Sequence, residues 1–178
     1  MLMHVNAKKT AFGGLMLAIT VVCITLGSVI ETNTLFLLAA ASFFIGIAVQ
    51  ETNLAGGGAF YLAGVLLGLL VSPNKLYVVS YAGMGLYILA VECVWRRLGR
   101  MERDENRRRL FWLAKYLIFN LMYLPVLWIF RRTLLAAELP KAMWIVIVLA
   151  GQAGLLVYDR AYEYFMGKIW KKIRGKLF

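Results

Sequence analysis

Histidine and charge are both scarce in this chain. It holds one histidine, His4, and nine acidic residues among 178. Because this single histidine lies in the N-terminal tail, neither a histidine base nor a histidine metal centre can be assembled. Charged residues make up 16% of the chain, against about a quarter in soluble domains, and so few cannot cover a water-soluble globule of this length. The sequence therefore excludes an ordinary soluble enzyme. Among enzymes, only a membrane enzyme that uses carboxylates stays compatible with it, and no motif for one is present.

Cysteine and phosphate-binding motifs are also missing. Cys23 and Cys93 lie inside apolar runs, where cysteine usually behaves as a small hydrophobe, and they form no disulfide framework or metal spacing. The glycine run 56–58 has no lysine-serine pair after it, so it is not a phosphate loop. We predict no catalytic residue, no metal and no cofactor.

Long hydrophobic runs dominate what is present. The chain is 62% hydrophobic, with a mean hydropathy of +0.73. A hydrocarbon core of about 30 Å takes about 20 helical residues, and the runs are too continuous for barrel strands. The second run is short, so we expect it to be tilted or packed inside the bundle. We predict an all-α, polytopic membrane protein, one transmembrane domain over 1–178, with six transmembrane helices at about 11–30, 35–49, 54–71, 76–95, 110–130 and 142–165.

The basic residues predict the orientation. The net charge is +11, and the lysines and arginines flank the apolar runs, as in membrane proteins rather than in nucleic-acid-binding proteins. Fourteen fall on the side of the N-terminus and four on the other. By the positive-inside rule, both termini are cytosolic, and we expect a multi-pass protein of a cell membrane, most simply the bacterial plasma membrane.

The C-terminal stretch 166–178 has the pattern of a basic amphipathic helix. Its apolar positions share one helical face and its basic positions share the other. Such a tail either anchors the protein on anionic lipid or docks a partner. The apolar positions are Met166, Ile169, Trp170, Ile173 and Leu177, and the basic ones are Lys168, Lys171, Lys172, Arg174 and Lys176.

Small residues recur one turn apart on two helices. Gly14 and Ala18 lie on helix one, and Gly64 and Gly68 lie on helix three. Such pairs let a second backbone approach closely. They either pack helices within the chain or, for Gly14 and Ala18, form a docking surface for another membrane protein.

Ionisable residues within the spans are a third feature. Glu92, Lys115 and Asp159 fall at similar depth near the cytosolic side, and Glu163 follows Asp159 by one turn. Because charge at membrane depth is costly, we predict a structural cluster in which they neutralise one another. A proton or ion relay is the alternative.

The opposite side of the membrane carries aromatic and hydrogen-bonding residues. One interpretation is that the aromatic residues there are simply an interfacial belt. The other is that they line a small-solute site, which needs aromatic walls and a few polar groups. The predicted solute-binding residues are Glu31, Asn33, Asn74, Lys75, Tyr77, Tyr81, Asn120, Tyr123 and Trp144.

Six short helices, a lysine-rich start and the Gly14-x-x-x-Ala18 pattern resemble the S components of energy-coupling factor transporters. In that family the pattern is alanine-x-x-x-alanine, so glycine replaces its first member here. The resemblance implies capture of a vitamin-like solute, docking through helix one onto a transmembrane coupling subunit, and ATP hydrolysis by partner ATPases. It does not identify the solute.

Two other functions fit the same layout. One is a non-catalytic scaffold or assembly protein, similar to the MreD-like proteins of cell-wall elongation. The other is a small channel, against which the apolar middle of each helix argues. An outward-facing pocket of a few hundred Å³ distinguishes solute capture from a scaffold, which should pack solid there.

Overall fold

The protein is built from helices. A computed structural model describes residues 2–99, 105–134 and 141–177, and these three segments contain no strand. Six of their helices are long and apolar enough to cross a membrane, which confirms the prediction of an all-α polytopic membrane protein. The cytosolic position of both termini stays a prediction. The elements are α1 (Leu2–Val29), a 3₁₀ turn (Glu31–Asn33), α2 (Thr34–Glu51), α3 (Leu54–Val71), α4 (Lys75–Leu98), α5 (Glu105–Leu134), α6 (Lys141–Tyr164), a π-helical turn (Phe165–Trp170) and α7 (Lys171–Leu177).

The helices extend beyond several predicted spans. Helix α1 begins at Leu2 rather than near residue 11, and α5 begins at Glu105 rather than near residue 110. Hydropathy detects the apolar part of a helix, whereas polar residues at its ends continue the same backbone hydrogen bonding unseen. The apolar parts themselves, such as Thr10–Val29, lie close to the predicted ranges.

The chain divides into two compact units, 1–100 and 101–178. In the first unit α2 packs against α1, α3 and α4, and half of its residues are buried. Leu38, Ala41 and Ile45 are fully buried there. The short second span is therefore an inner helix of this unit.

Two side-chain hydrogen bonds bind backbone carbonyls at helix ends in the first unit. Where α1 turns into α2, the buried Thr34 hydroxyl donates to the Gly27 carbonyl at 2.8 Å. At the opposite end of the unit, the Arg96 guanidinium donates to the Val49 carbonyl near the end of α2. Because the last carbonyls of a helix have no partner within it, Arg96 satisfies a group that α2 leaves open.

In the second unit, α6 continues into the C-terminal stretch without a break in the chain's helical path. A π-helical turn joins α6 to α7, so the stretch 166–178 extends helix six as far as Leu177. Among the apolar residues of this stretch, Met166 and Trp170 are buried, whereas Ile169 and Ile173 are 40% and 42% exposed; that it lies on lipid as an amphipathic helix stays a prediction. The π turn closes i→i+5 hydrogen bonds, which takes one residue more than an α turn and shifts the register of the faces.

Candidate functional site

A buried ion cluster joins α5 to α6. The Lys115 ammonium lies 2.8 Å from Asp159 Oδ2 and 2.7 Å from Glu163 Oε1. The side chains of Lys115 and Asp159 are 3% and 2% exposed, whereas that of Glu163 is 42% exposed. One lysine therefore bridges two carboxylates, one of which reaches the surface.

The helical repeat explains how these groups meet. Asp159 and Glu163 are one turn apart on α6, so both carboxylates can face Lys115 on α5. From its own helix, Lys115 is flanked by the rings of Phe111 and Trp112, whose centroids lie 4.6 Å and 5.1 Å from its ammonium nitrogen. The rings and carboxylates replace the water that an ammonium loses on burial.

The described ion pairs of the cluster join Lys115 of α5 to Asp159 and Glu163 of α6. Lys115 and Asp159 are two of the three residues of the predicted cluster Glu92, Lys115 and Asp159, and Glu163 is the carboxylate noted one turn after Asp159. The signal for Glu163 was its spacing of four residues from Asp159. Glu92 belongs to α4 in the first unit, where it is 8% exposed.

The predicted solute-binding residues of the first unit lie near the turns between α1 and α2 and between α3 and α4 and along α4, and two of them cap helices. Asn74 Oδ1 accepts a hydrogen bond from the Leu76 amide at 3.0 Å, which is an N-cap contact. The Lys75 ammonium donates to the carbonyls of Leu69 and, at 2.7 Å, Ser72. Both side chains are thus engaged in ending α3 and starting α4.

Three other predicted residues of this unit have different environments. Asn33 is exposed in the 3₁₀ turn and Tyr77 is partly buried in the first turn of α4. The side chain of Glu31 lies outside the described part of the structure.

Tyr81 is fully buried, at 0% exposure. Its ring lies 6.5 Å, centroid to centroid, from that of Tyr61. A Cβ built on Gly64 would stand 2.5 Å from the Tyr81 hydroxyl oxygen, so the missing side chain at Gly64 makes room for the phenol. Among the described residues, that hydroxyl has no hydrogen-bond partner. The glycine pair of helix three therefore packs the unit internally.

In the second unit, two predicted residues link α5 to α6. Gln152 Nε2 donates to Asn120 Oδ1 at 2.7 Å, and Asn120 Nδ2 donates to the Tyr116 carbonyl at 2.9 Å. The Tyr123 hydroxyl donates to the Ile147 carbonyl at 2.9 Å. Asn120 and Tyr123 are thus bound to protein groups rather than open to a solute.

We expect the Asn120–Gln152 hydrogen bond to contribute modestly. Interhelical hydrogen bonds in membranes average about 0.6 kcal/mol and reach about 1.7 kcal/mol. In a double-mutant cycle with Asn120→Leu and Gln152→Leu, measured by denaturant unfolding in micelles, the coupling energy should fall in that range. Gln50→Leu, at an exposed position, is the control and should show no coupling to Asn120→Leu. A cycle that closes with zero coupling for Gln152 contradicts the assignment.

Two surface grooves lie on the second unit. One, of about 260 Å³, is lined by Trp144, Ile145, Val148 and Leu149 and has no polar lining. The other, of about 660 Å³, lies on α5 and is lined by Arg108, Arg109, Trp112, Leu113 and Tyr116. The sequence-based site list includes only Trp144 of these residues, although the four-residue spacing of Arg108, Trp112 and Tyr116 is visible in the sequence.

The small residues of α1 lie on an exposed face. Gly14 and Ala18 are exposed, and a Cβ built on Gly14 would meet nothing within 4 Å. Leu15 and Val22 beside them are 57% and 54% exposed. This pair, unlike Gly64 and Gly68, does not bring helices of the described chain together.

Taken together, fold and sites define a multi-pass, all-α membrane protein with a buried ion cluster. Comparison with known protein families, with curated proteins and with solved structures finds no match to this chain.

Proposed function

We propose that this chain is a non-catalytic membrane scaffold or assembly protein, which acts by presenting helix surfaces to other membrane proteins. The position of Tyr81 supports this proposal most directly. A solute pocket needs this ring on its wall, with space beside it. Instead, the ring is fully buried and its hydroxyl fills the gap left by Gly64.

The polar residues of the predicted solute site also support a scaffold. Asn74 and Lys75 cap helix ends, and Asn120 and Tyr123 bind groups of α5 and α6. Each has a structural task that accounts for its presence without a ligand. The proposal accordingly assigns no reaction to the chain.

The face of α1 around Gly14 and Ala18 is the surface we assign to a partner. Small residues allow a neighbouring helix backbone to approach closely, and within the described chain no helix uses this face for such an approach. Leu15 and Val22 would flank the contact.

Substrate capture, as in the S components, is the second candidate. The exposed Gly14 and Ala18 favour it equally, because such a subunit also docks through helix one. It would place the chain in a bacterial plasma membrane beside a coupling subunit and ATPases, and it needs a bound solute that a scaffold lacks.

The two functions are separated by crosslinking and mass spectrometry. A photo-reactive amino acid at Ala18 should form an adduct with another membrane protein in the native membrane. The same probe at Leu66, which is 61% exposed on α3, should not. Native mass spectrometry of the gently purified protein should then show no stoichiometric small molecule. A retained solute together with co-purified ATPase subunits would overturn the scaffold in favour of substrate capture.

A further inference from the structure

The groove on α5 is lined by residues that have no role in the proposed function. Its five lining residues, Arg108, Arg109, Trp112, Leu113 and Tyr116, recur at spacings of one, three and four and so share one face of the helix. Two guanidinium groups lie at one end, and a leucine and two aromatic side chains lie along the rest.

The position of the groove along α5 matches the membrane boundary. Arg108 and Arg109 immediately precede the apolar run that begins at Leu110. Tryptophan and tyrosine are enriched at this level in membrane proteins. From Arg108 to Tyr116 the helix rises about 12 Å, whereas the headgroup region on each side of the hydrocarbon is roughly 5–7 Å thick. A groove of this length therefore extends from the headgroup region into the hydrocarbon.

A stripe of exposed leucines begins in the groove at Leu113 and continues along α5 into its apolar run. Leu113, Leu117 and Leu121 are 66%, 71% and 73% exposed and are spaced by four residues. A ligand with its polar group at the arginines would therefore have an apolar surface in line for a hydrocarbon chain.

The local charge is positive. Arg108 is exposed, and none of the described side chains forms a hydrogen bond or ion pair with its guanidinium. A further cation, Arg160, lies 5.5 Å from the Trp112 ring centroid. Two carboxylates of α6 among the described side chains, Asp159 and Glu163, are both bound to Lys115. The groove thus offers the guanidinium of Arg108 to an anion, in surroundings of net positive charge.

We propose that this groove binds one anionic phospholipid, with its phosphate at Arg108, beside the positive charge of Arg109, and an acyl chain along Leu113 and Leu117. Guanidinium groups suit phosphate because they donate two parallel hydrogen bonds. The aromatic residues flank the glycerol region. This site is independent of whether the chain is a scaffold or a solute-capture subunit.

The test is a lipid titration of the full chain in detergent, followed by native mass spectrometry. Dioleoylphosphatidylglycerol should bind as one preferred adduct and dioleoylphosphatidylcholine should not. Since each basic residue near a membrane surface contributes on the order of a tenfold factor or less to anionic-lipid binding, the double variant Arg108→Gln/Arg109→Gln should lose roughly tenfold or more in affinity for phosphatidylglycerol.

The matched control is Lys171→Gln/Lys172→Gln, which removes the same charge from exposed positions of α7 in the same unit. It should change the affinity by less than about twofold, since these lysines lie outside the groove. Equal losses in both double variants would overturn the proposal, because they would show attraction to net charge alone. Equal binding of phosphatidylcholine would overturn it as well.

Two further measurements separate other occupants. Glycerol 3-phosphate, the soluble counterpart of the headgroup, should not displace the lipid; displacement at equal concentration would indicate a site for free phosphate instead. If the arginine variant loses a dimer signal but keeps its lipid, the occupant of the groove is a second copy of the chain rather than a phospholipid. If the arginine variant does not fold, the unmodified protein still gives a test, because phosphatidylglycerol binding should weaken as salt rises, and no salt dependence would refute the site.

Discussion

Replacing Lys115 with methionine is expected to destabilise the protein by about 3–5 kcal/mol. The substitution keeps the volume of the side chain roughly constant and removes its charge. Asp159, whose side chain is 2% exposed, then remains as a buried carboxylate without its counter-ion. Thermal or denaturant unfolding in micelles, followed by circular dichroism, measures the loss.

A second substitution should reverse most of this effect. In Lys115→Met/Asp159→Asn neither of these two buried charges remains, and buried ion pairs replaced on both sides are often close to neutral in stability. Glu163→Gln is the matched control, because that carboxylate is 42% exposed and exposed pairs contribute about 0–1 kcal/mol. If Lys115→Met lowers the free energy of unfolding no more than Glu163→Gln does, the cluster does not stabilise the fold. That result would favour the alternative, a proton or ion relay.

Gly64→Ala is expected to cost about 1–3 kcal/mol, the usual range for overpacking. The new Cβ would stand 2.5 Å from the Tyr81 hydroxyl oxygen and 3.3 Å from the ring carbon that bears it. Tyr81 cannot swing away easily, because it is fully buried. The same unfolding measurement detects the loss.

The hydroxyl itself provides the internal test. Tyr81→Phe removes the atom in closest contact, and that atom has no hydrogen-bond partner among the described residues. This substitution alone should therefore be close to neutral, and adding it to Gly64→Ala should restore most of the stability. Gly83→Ala is the control, since a Cβ there meets nothing within 4 Å; it should be neutral or slightly stabilising because alanine favours helix. A loss at Gly83 equal to that at Gly64 would contradict the packing explanation.

The six helices could be predicted because their signal is local. Runs such as 54–71 are long, apolar and bounded by polar residues, and the structure places α3 at the same bounds. The ion cluster was partly predictable for a related reason. A lysine or carboxylate within an apolar run needs a partner, and the helical repeat restricts which residues can supply one. The repeat pointed to Asp159 and Glu163 together but could not decide which carboxylates Lys115 reaches.

The role of each tyrosine could not be predicted. Tyr77 and Tyr81 differ by four residues on one helix, yet one is partly and the other fully buried. Tyr81 faces Gly64 on α3, where the missing side chain leaves space for the phenol hydroxyl. Sequence patterns of single helices contain no information about which glycine faces which ring, so the interfacial belt, the pocket wall and the packed core look alike.

The same limit applies to the small-residue pairs. Gly14-x-x-x-Ala18 and Gly64-x-x-x-Gly68 have equivalent spacing, but the structure exposes the first pair and buries Gly64 and Gly68. The neighbours of each helix decide the outcome. Only the arrangement of α1 to α4 identifies which of the two pairs is exposed.

The helix formed by α6, the π turn and α7 is longer than a membrane is thick. From Lys141 to Leu177 it contains 37 residues, or about 55 Å at the α-helical rise, against about 30 Å of hydrocarbon. Measured from Lys141, the π turn begins after about 36 Å, close to the depth at which the hydrocarbon ends. We therefore expect the change in winding to lie near the boundary between the hydrocarbon and the headgroups, and the cationic residues of α7 come after it. A bend at the π turn would allow α7, with its basic residues, to take a different orientation in the headgroup layer from that of α6. The tilt of α6 would still be determined by the bilayer.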